Sequence, residues 1–138
     1  MPLPLLALLP ILVIMVVAFT FIYIISKSKQ LAKEEIDKTP VYKTRCSGII
    51  GSLHYRGPFI ELRMYEDFLV VSYSKQMVFS YSSINVDIAK NFFRQGLAIH
   101  HLSQDYPSRI ILAVYNMQEI KDYVLNRKKL IENAGNMI

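Results

Sequence analysis

The residues best suited to chemistry in this chain are few and scattered. His100 and His101 are adjacent, and neighbours on a strand point to opposite faces, so their imidazoles do not converge on one ion. One is expected to face solvent and the other to pack inward, with His54 a lone surface or structural residue. Cys46 has Lys43, Arg45 and His54 near it in sequence, yet nothing supplies the orienting third group that an activated thiol needs. As the only cysteine, it forms no internal disulfide and no CxxC unit. The paired carboxylates Glu34 and Glu35 fall in a stretch where a pocket is least expected, and no HExxH, GxSxG, Walker or dinucleotide motif occurs. Gly48 with Gly51 is too little for a phosphate cradle. The reading is therefore a protein that is not an enzyme, with no catalytic residue, no cofactor and no metal.

Binding is the better-supported class. Phe92 and Phe93 stand together in "KNFFRQG", flanked by Lys90 and Arg94, and are candidates to enter a partner's groove or a membrane interface. Six of the nine tyrosines, Tyr55, Tyr65, Tyr73, Tyr81, Tyr106 and Tyr115, fall at strand ends or beside loops. There they either seal a barrel or meet a partner, and Tyr106 joins the two phenylalanines as a candidate partner contact. The net charge of +5 gathers at Lys27, Lys29, Lys33, Lys43 and Arg45, candidate contacts for anionic lipid, and again at Arg127 to Lys129. Nucleic acid is set aside because the basic residues lack the aromatic interleaving of an RNA-binding sheet.

The elements that must position these residues begin with a long apolar run. Leu3 to Ile25 carries no charge, and a bilayer core about 30 Å thick calls for roughly 20 apolar residues in a helix. A secretion signal would show a basic leader, a shorter apolar core and small residues before a cleavage site, and none is visible. Residues 1–26 are thus expected to be a retained transmembrane helix, with Pro10 bending it or marking where its regular part begins. Lys27, Lys29 and Lys33 follow the span and no basic residue precedes it. That asymmetry places the N-terminus outside and the remainder in the cytoplasm, against the plasma (inner) membrane. Residues 27–46 are expected to link span to domain, either as continuing helix, with Glu34 one turn before Lys38, or as solvated chain; Thr39–Pro40 ends any helix.

From Ser47 the pattern changes to short runs rich in Ile, Val, Phe, Tyr and Leu, broken by Gly, Pro, Asp, Asn and Ser. Seven antiparallel strands are expected at about 47–55, 59–65, 68–73, 77–81, 84–88, 97–102 and 109–115. "RGP" at 56–58 and "AKNFFRQG" at 89–96 are among the breaks. Ile60, Leu62 and Met64 take one face and Glu61 and Arg63 the other. One helix follows, opened by Asn116 with Glu119 three positions on, and Met117, Ile120, Tyr123, Val124 and Ile131 form its apolar stripe. The fold class is mainly β: one N-terminal transmembrane helix, then a seven-stranded antiparallel barrel over residues 47–138 closed by a C-terminal helix.

The order of these elements, with "FIELRMYEDFLVVSY", "YSSINVDI", "GLAIHHL" and "RIILAVYNMQEIKDYVL", resembles the PH-like superfamily, in particular its bacterial PH and GRAM-related branch, over about Ser47 to Asn126. The resemblance implies a non-catalytic module that binds headgroups, peptides or partner domains. The basic-x-Arg triplet of phosphoinositide-binding members is replaced here by Glu61, Leu62 and Arg63, and the loop Arg56–Pro58 is too small to wrap a phosphorylated headgroup. The expected function is a membrane-anchored scaffold, adaptor or accessory subunit of a membrane complex, touching the bilayer and protein partners. The alternative is a sensor of anionic lipid or a small ligand.

Overall fold

A computed structural model describes residues 3–91 and 94–136; Phe92 and Phe93 lie outside the described residues. Helix α1 runs Leu3–Ser28 with Pro10 inside it, and its best 18-residue window has a mean hydropathy of 3.0 with none of it buried. A helix so apolar on every side has no soluble partner here, and it is long and apolar enough to span a membrane.

Seven strands follow: β1 Tyr42–Ile50, β2 Leu53–Met64, β3 Phe68–Ser72, β4 Gln76–Ser80, β5 Ile84–Asn91, β6 Arg94–His101 and β7 Ile110–Ala113, before helix α2 Met117–Asn136. They form one antiparallel sheet in the order β4-β3-β2-β1-β7-β6-β5, curled into a half-barrel. Inside the curl lie Ile60, Leu62, Leu69, Val71, Met77, Leu97, Ile99 and Leu112, which exclude water almost completely. α2 lays Ile120 and Val124 on this core with Met117, Tyr123 and Ile131 beside them, the stripe expected from its spacing. It closes the end that carries the β2–β3 turn, where Arg127 Nε donates to the Glu66 carbonyl at 2.6 Å and Tyr123 reaches the Tyr65 carbonyl.

The first hairpin differs from the expected one. β1 opens at Tyr42 and turns at Gly51–Ser52, where Gly51 takes a φ of 63° that a side chain resists. "RGP" is then no loop: it lies within β2 as a bulge, because two steps along β1, Cys46 to Gly48, are matched by five along β2, Ile60 to Tyr55. A proline and a glycine, which weaken an ordinary ladder, are at home in such an irregularity. Similarly, most of "AKNFFRQG" is strand, since β5 continues to Asn91 and β6 starts at Arg94. Gly48 has its own reason: a Cβ there would sit 2.4 Å from the Ile111 carbonyl oxygen, so β7 packs this closely only against a glycine.

The segment between α1 and β1 does not continue the helix; it is exposed at most positions, as a solvated chain would be, but it is pinned to the sheet where Ser28 and Glu35 are buried. The helix stops at Ser28, Lys33–Glu35 makes one 3-10 turn, and Asp37 sits at a φ of 65°. This strap lies over the outer face of β2 and β3, so that β3 is buried on both sides at all five positions. Tyr65 and Phe68 stack at 4.7 Å beneath it, with Val70 between the layers and the Lys38 ammonium 4.9 Å above the Phe68 ring.

Candidate functional site: the joint between helix and sheet

The most elaborate polar arrangement among the described residues is where the strap and the end of α1 meet the outer face of the sheet. Alternation along β2 puts Phe59, Glu61, Arg63 and Tyr65 on this face, opposite to the core residues Ile60, Leu62 and Met64. Arg63 is 1 % exposed, Glu61 2 % and Glu35 1 %, which makes this a buried ionic cluster. Arg63 grips the Glu35 carboxylate with two nitrogens, Nε on Oε1 and Nη2 on Oε2 at 2.9 Å, while its Nη1 donates to Glu61 Oε1 at 3.0 Å. Glu61 meets Arg45 at 3.0 Å and Lys43 at 3.5 Å. Tyr65 donates its hydroxyl to Glu35 at 2.8 Å, and the Ala32 N–H donates to the same carboxylate at 2.7 Å.

The cluster also terminates the helix. The last carbonyls of an α-helix have no partner within it and carry its negative dipole end. Here the sheet supplies the donors. The Ser28 carbonyl accepts from Arg63 Nη1 at 3.1 Å and from the Ser72 hydroxyl at 2.6 Å. The Gln30 carbonyl accepts from Arg63 Nη2 at 2.9 Å, and the Lys27 carbonyl from Gln76 Nε2 at 3.0 Å. Arg45 Nη1 reaches the Ser28 hydroxyl and the Pro58 carbonyl. Further back, Phe21 of α1 meets Phe59 of β2 with ring centres 5.5 Å apart.

Electrostatics follow from this geometry. Burial works against a charged Glu35, but the bonds from Arg63, Ala32 and Tyr65 prevail and hold its carboxyl below the usual range. Burial likewise opposes the Arg63 charge, and Glu35 and Glu61 outweigh it, raising its pKa. Burial and the adjacent Glu35 charge push the Tyr65 hydroxyl up to about 12. The two carboxylates stand against Arg63, Arg45 and the more exposed Lys43, so each buried charge is paired, and the cluster is built to hold chain segments together; no substrate-facing nucleophile is part of it.

The other sequence candidates are dispersed. Arg45 belongs to the joint, and Lys43 leans on it. Lys27 lies 5.5 Å over the Tyr23 ring, and Lys29 and Lys33 are exposed. Tyr106 is half-buried, edge-on to Phe79 at 5.2 Å, at the rim of a cleft of about 510 Å³ that also involves His101, Asn85 and Lys128. The Lys128 ammonium is taken up there by the Ile84 carbonyl and Asn85. His100 faces solvent while His101 packs inward, its Nε2 2.7 Å from the Pro107 carbonyl and its Nδ1 accepting from the Ser103 N–H. Cys46 is buried, which raises its thiol to about 12 and leaves it inert. Among the described residues no group of side chains is placed to hold a metal ion.

Sequence reasoning assigned Glu61 and Arg63 to the polar face but missed that Glu35 covers them. The available signal was "FLVVS": a strand apolar at nearly every position needs cover on both faces, so something had to lie over the outer one. Comparison of the chain with protein-family models, with curated proteins and with solved structures found no match in any of the three.

Proposed function

We propose that this chain is a single-span membrane protein that holds a PH-like half-barrel firmly at the cytoplasmic surface, as a non-catalytic scaffold or accessory subunit for a protein partner in the same membrane. The observation that carries this reading is the capping of the Lys27, Ser28 and Gln30 carbonyls by Gln76, Ser72 and Arg63. A helix whose last turn is part of a buried network is poorly suited to be discarded as a signal, because cleavage beyond that turn would strip the Ser28 and Gln30 carbonyls from Arg63 inside the sheet. Firm attachment also favours binding: a module fixed in height and orientation at the membrane loses less entropy when it meets a partner. The edges β4 and β5 offer unpaired strands for such contact.

The test is purification of the full chain, tagged at its C-terminus, in mild detergent after an alkaline carbonate wash of the membranes. Retention in the washed membrane with a stoichiometric co-purifying protein is expected, together with loss of that protein when a flexible insertion after Lys38 loosens the joint. Release by the wash, or a full-length chain that purifies alone, would overturn it.

A further inference from the structure

We propose that the end of the half-barrel opposite α2 is a second membrane-contacting surface, in which the β1–β2 turn dips Leu53 into the bilayer interface while Arg56, Lys75 and Arg109 meet anionic headgroups. This rests on the reading of α1 as a membrane span and adds to it the face that the domain turns toward the lipid.

The direction comes from two contacts between α1 and β2. Arg63 meets Ser28, and Phe59 meets Phe21. Going from the first contact to the second is seven residues back along the helix, about 10 Å at 1.5 Å each, and four back along the strand, about 13 Å at 3.3 Å each. The two segments therefore run side by side, and both lead toward their own N-termini. Beyond Phe21 the helix enters its uninterrupted apolar stretch; beyond Phe59 the strand leads to Tyr55, Leu53 and the Gly51–Ser52 turn. That turn thus points the way the helix points, into the membrane.

Height agrees with direction. α1 has 26 residues, about 39 Å of helix against a hydrocarbon layer of about 30 Å, so its last turn or two stands clear of the core. Tyr23 with Lys27 over its ring is the aromatic and basic pair expected at that boundary. Phe59, level with Phe21, then lies at that boundary, and the bulged strand beyond it carries the turn no higher than the headgroups.

The composition of this end suits an anionic surface. The β3–β4 turn joins the β1–β2 hairpin through Tyr55 and Tyr73, 5.9 Å apart, and the approach to β7 joins it where the Gly51 N–H donates to the Arg109 carbonyl at 2.7 Å. Leu53 is 59 % exposed, and Arg56, Lys75 and Arg109 are exposed. No acidic residue falls in 46–60, 68–86 or 106–118; Asp105 is the nearest acid in sequence. Charge removed from Lys43 and Arg45 by Glu61 is thus replaced by a different basic set at the tip.

The chain contains no tryptophan, so a single one reports without background. Full-length Leu53→Trp and, at the far end on α2, Gln118→Trp are reconstituted into phosphatidylcholine vesicles with and without phosphatidylglycerol, each containing lipid brominated near the headgroup. Expected is severalfold stronger quenching at position 53 than at 118, greater with phosphatidylglycerol, and loss of that lipid preference in Arg56→Gln/Lys75→Gln/Arg109→Gln. Equal quenching at both positions, or none at 53, overturns the proposal, as does quenching indifferent to phosphatidylglycerol and to the triple change. Flotation of every variant with the vesicles reads the span independently: a chain that fails to float sinks the anchoring itself, whereas one that floats unquenched sinks only the tip. Resistance of buried Cys46 to maleimide verifies that each variant is folded.

Discussion

At the scale of single residues, Arg63 carries more of this structure than any other side chain. It is buried, it serves Glu35, Glu61 and two helix-end carbonyls together, and every one of those acceptors loses a partner if it is truncated. Arg63→Ala should destabilise the domain by about 3–5 kcal/mol, the range for leaving buried charges uncompensated. Arg63→Lys should recover only part of this, because a point ammonium does not reproduce the two-pronged grip on Glu35. Denaturant unfolding followed by tyrosine fluorescence measures both. Glu35 adds a pH dependence with a definite sign. Its carboxyl is held below the ordinary range, so its contribution is complete above the range in which unfolded carboxylates titrate and fades as pH falls through its own depressed value. Glu35→Gln should flatten that acid limb of the stability curve. Cys46 makes a third case: with its thiol at about 12, it should resist maleimide at neutral pH and react only on unfolding.

At the scale of elements, periodicity located most of the fold. The apolar run opening at Ile84 gave the start of β5, and the capping pair with the stripe from Met117 gave the start of α2, although both elements run on past the expected residues, to Asn91 and Asn136. The first hairpin was misplaced because its two loudest punctuation signals compete. Gly51 marks the real turn with its positive φ, whereas Gly57 and Pro58 mark a bulge, and a linear reading gives no means of ranking them. The joint was hidden for another reason: Glu35 and Arg63 are separated by 28 positions, and nothing local in "AKEEIDK" announces which carboxylate is to be buried. Two substitutions test the element-level account. Gly51→Ala should lower stability by roughly 1 kcal/mol or somewhat more, through backbone strain and the close approach of its methyl to the Pro107 ring. Gly48→Ala should lower it by about 1–3 kcal/mol, because its new methyl meets the Ile111 carbonyl and must spread β1 from β7.

At the scale of the whole molecule, strap and joint make span and half-barrel a single mechanical unit. Residues 29–41, which a flexible tether would offer to any protease, should survive limited trypsin digestion despite Lys29, Lys33 and Lys38, and become cleavable in Arg63→Ala; mass spectrometry of the fragments reads this directly. The sidedness of the span is accessible with Glu132→Cys, since the native thiol is silent: an impermeant maleimide should label it only after the membrane is permeabilised.

The helix-end carbonyls impose a chronology on biogenesis. Lys27, Ser28 and Gln30 leave the ribosome first, while the donors they require arrive 33 to 49 residues later, with Arg63, Ser72 and Gln76. On the proposed reading, the nascent anchor during that interval sits in the bilayer with the last turn of its helix hydrated, and it can swivel about its own axis. Completion of the third and fourth strands is the moment at which rotation stops, so a chain stalled before Gln76 would be inserted in the lipid yet not oriented within it.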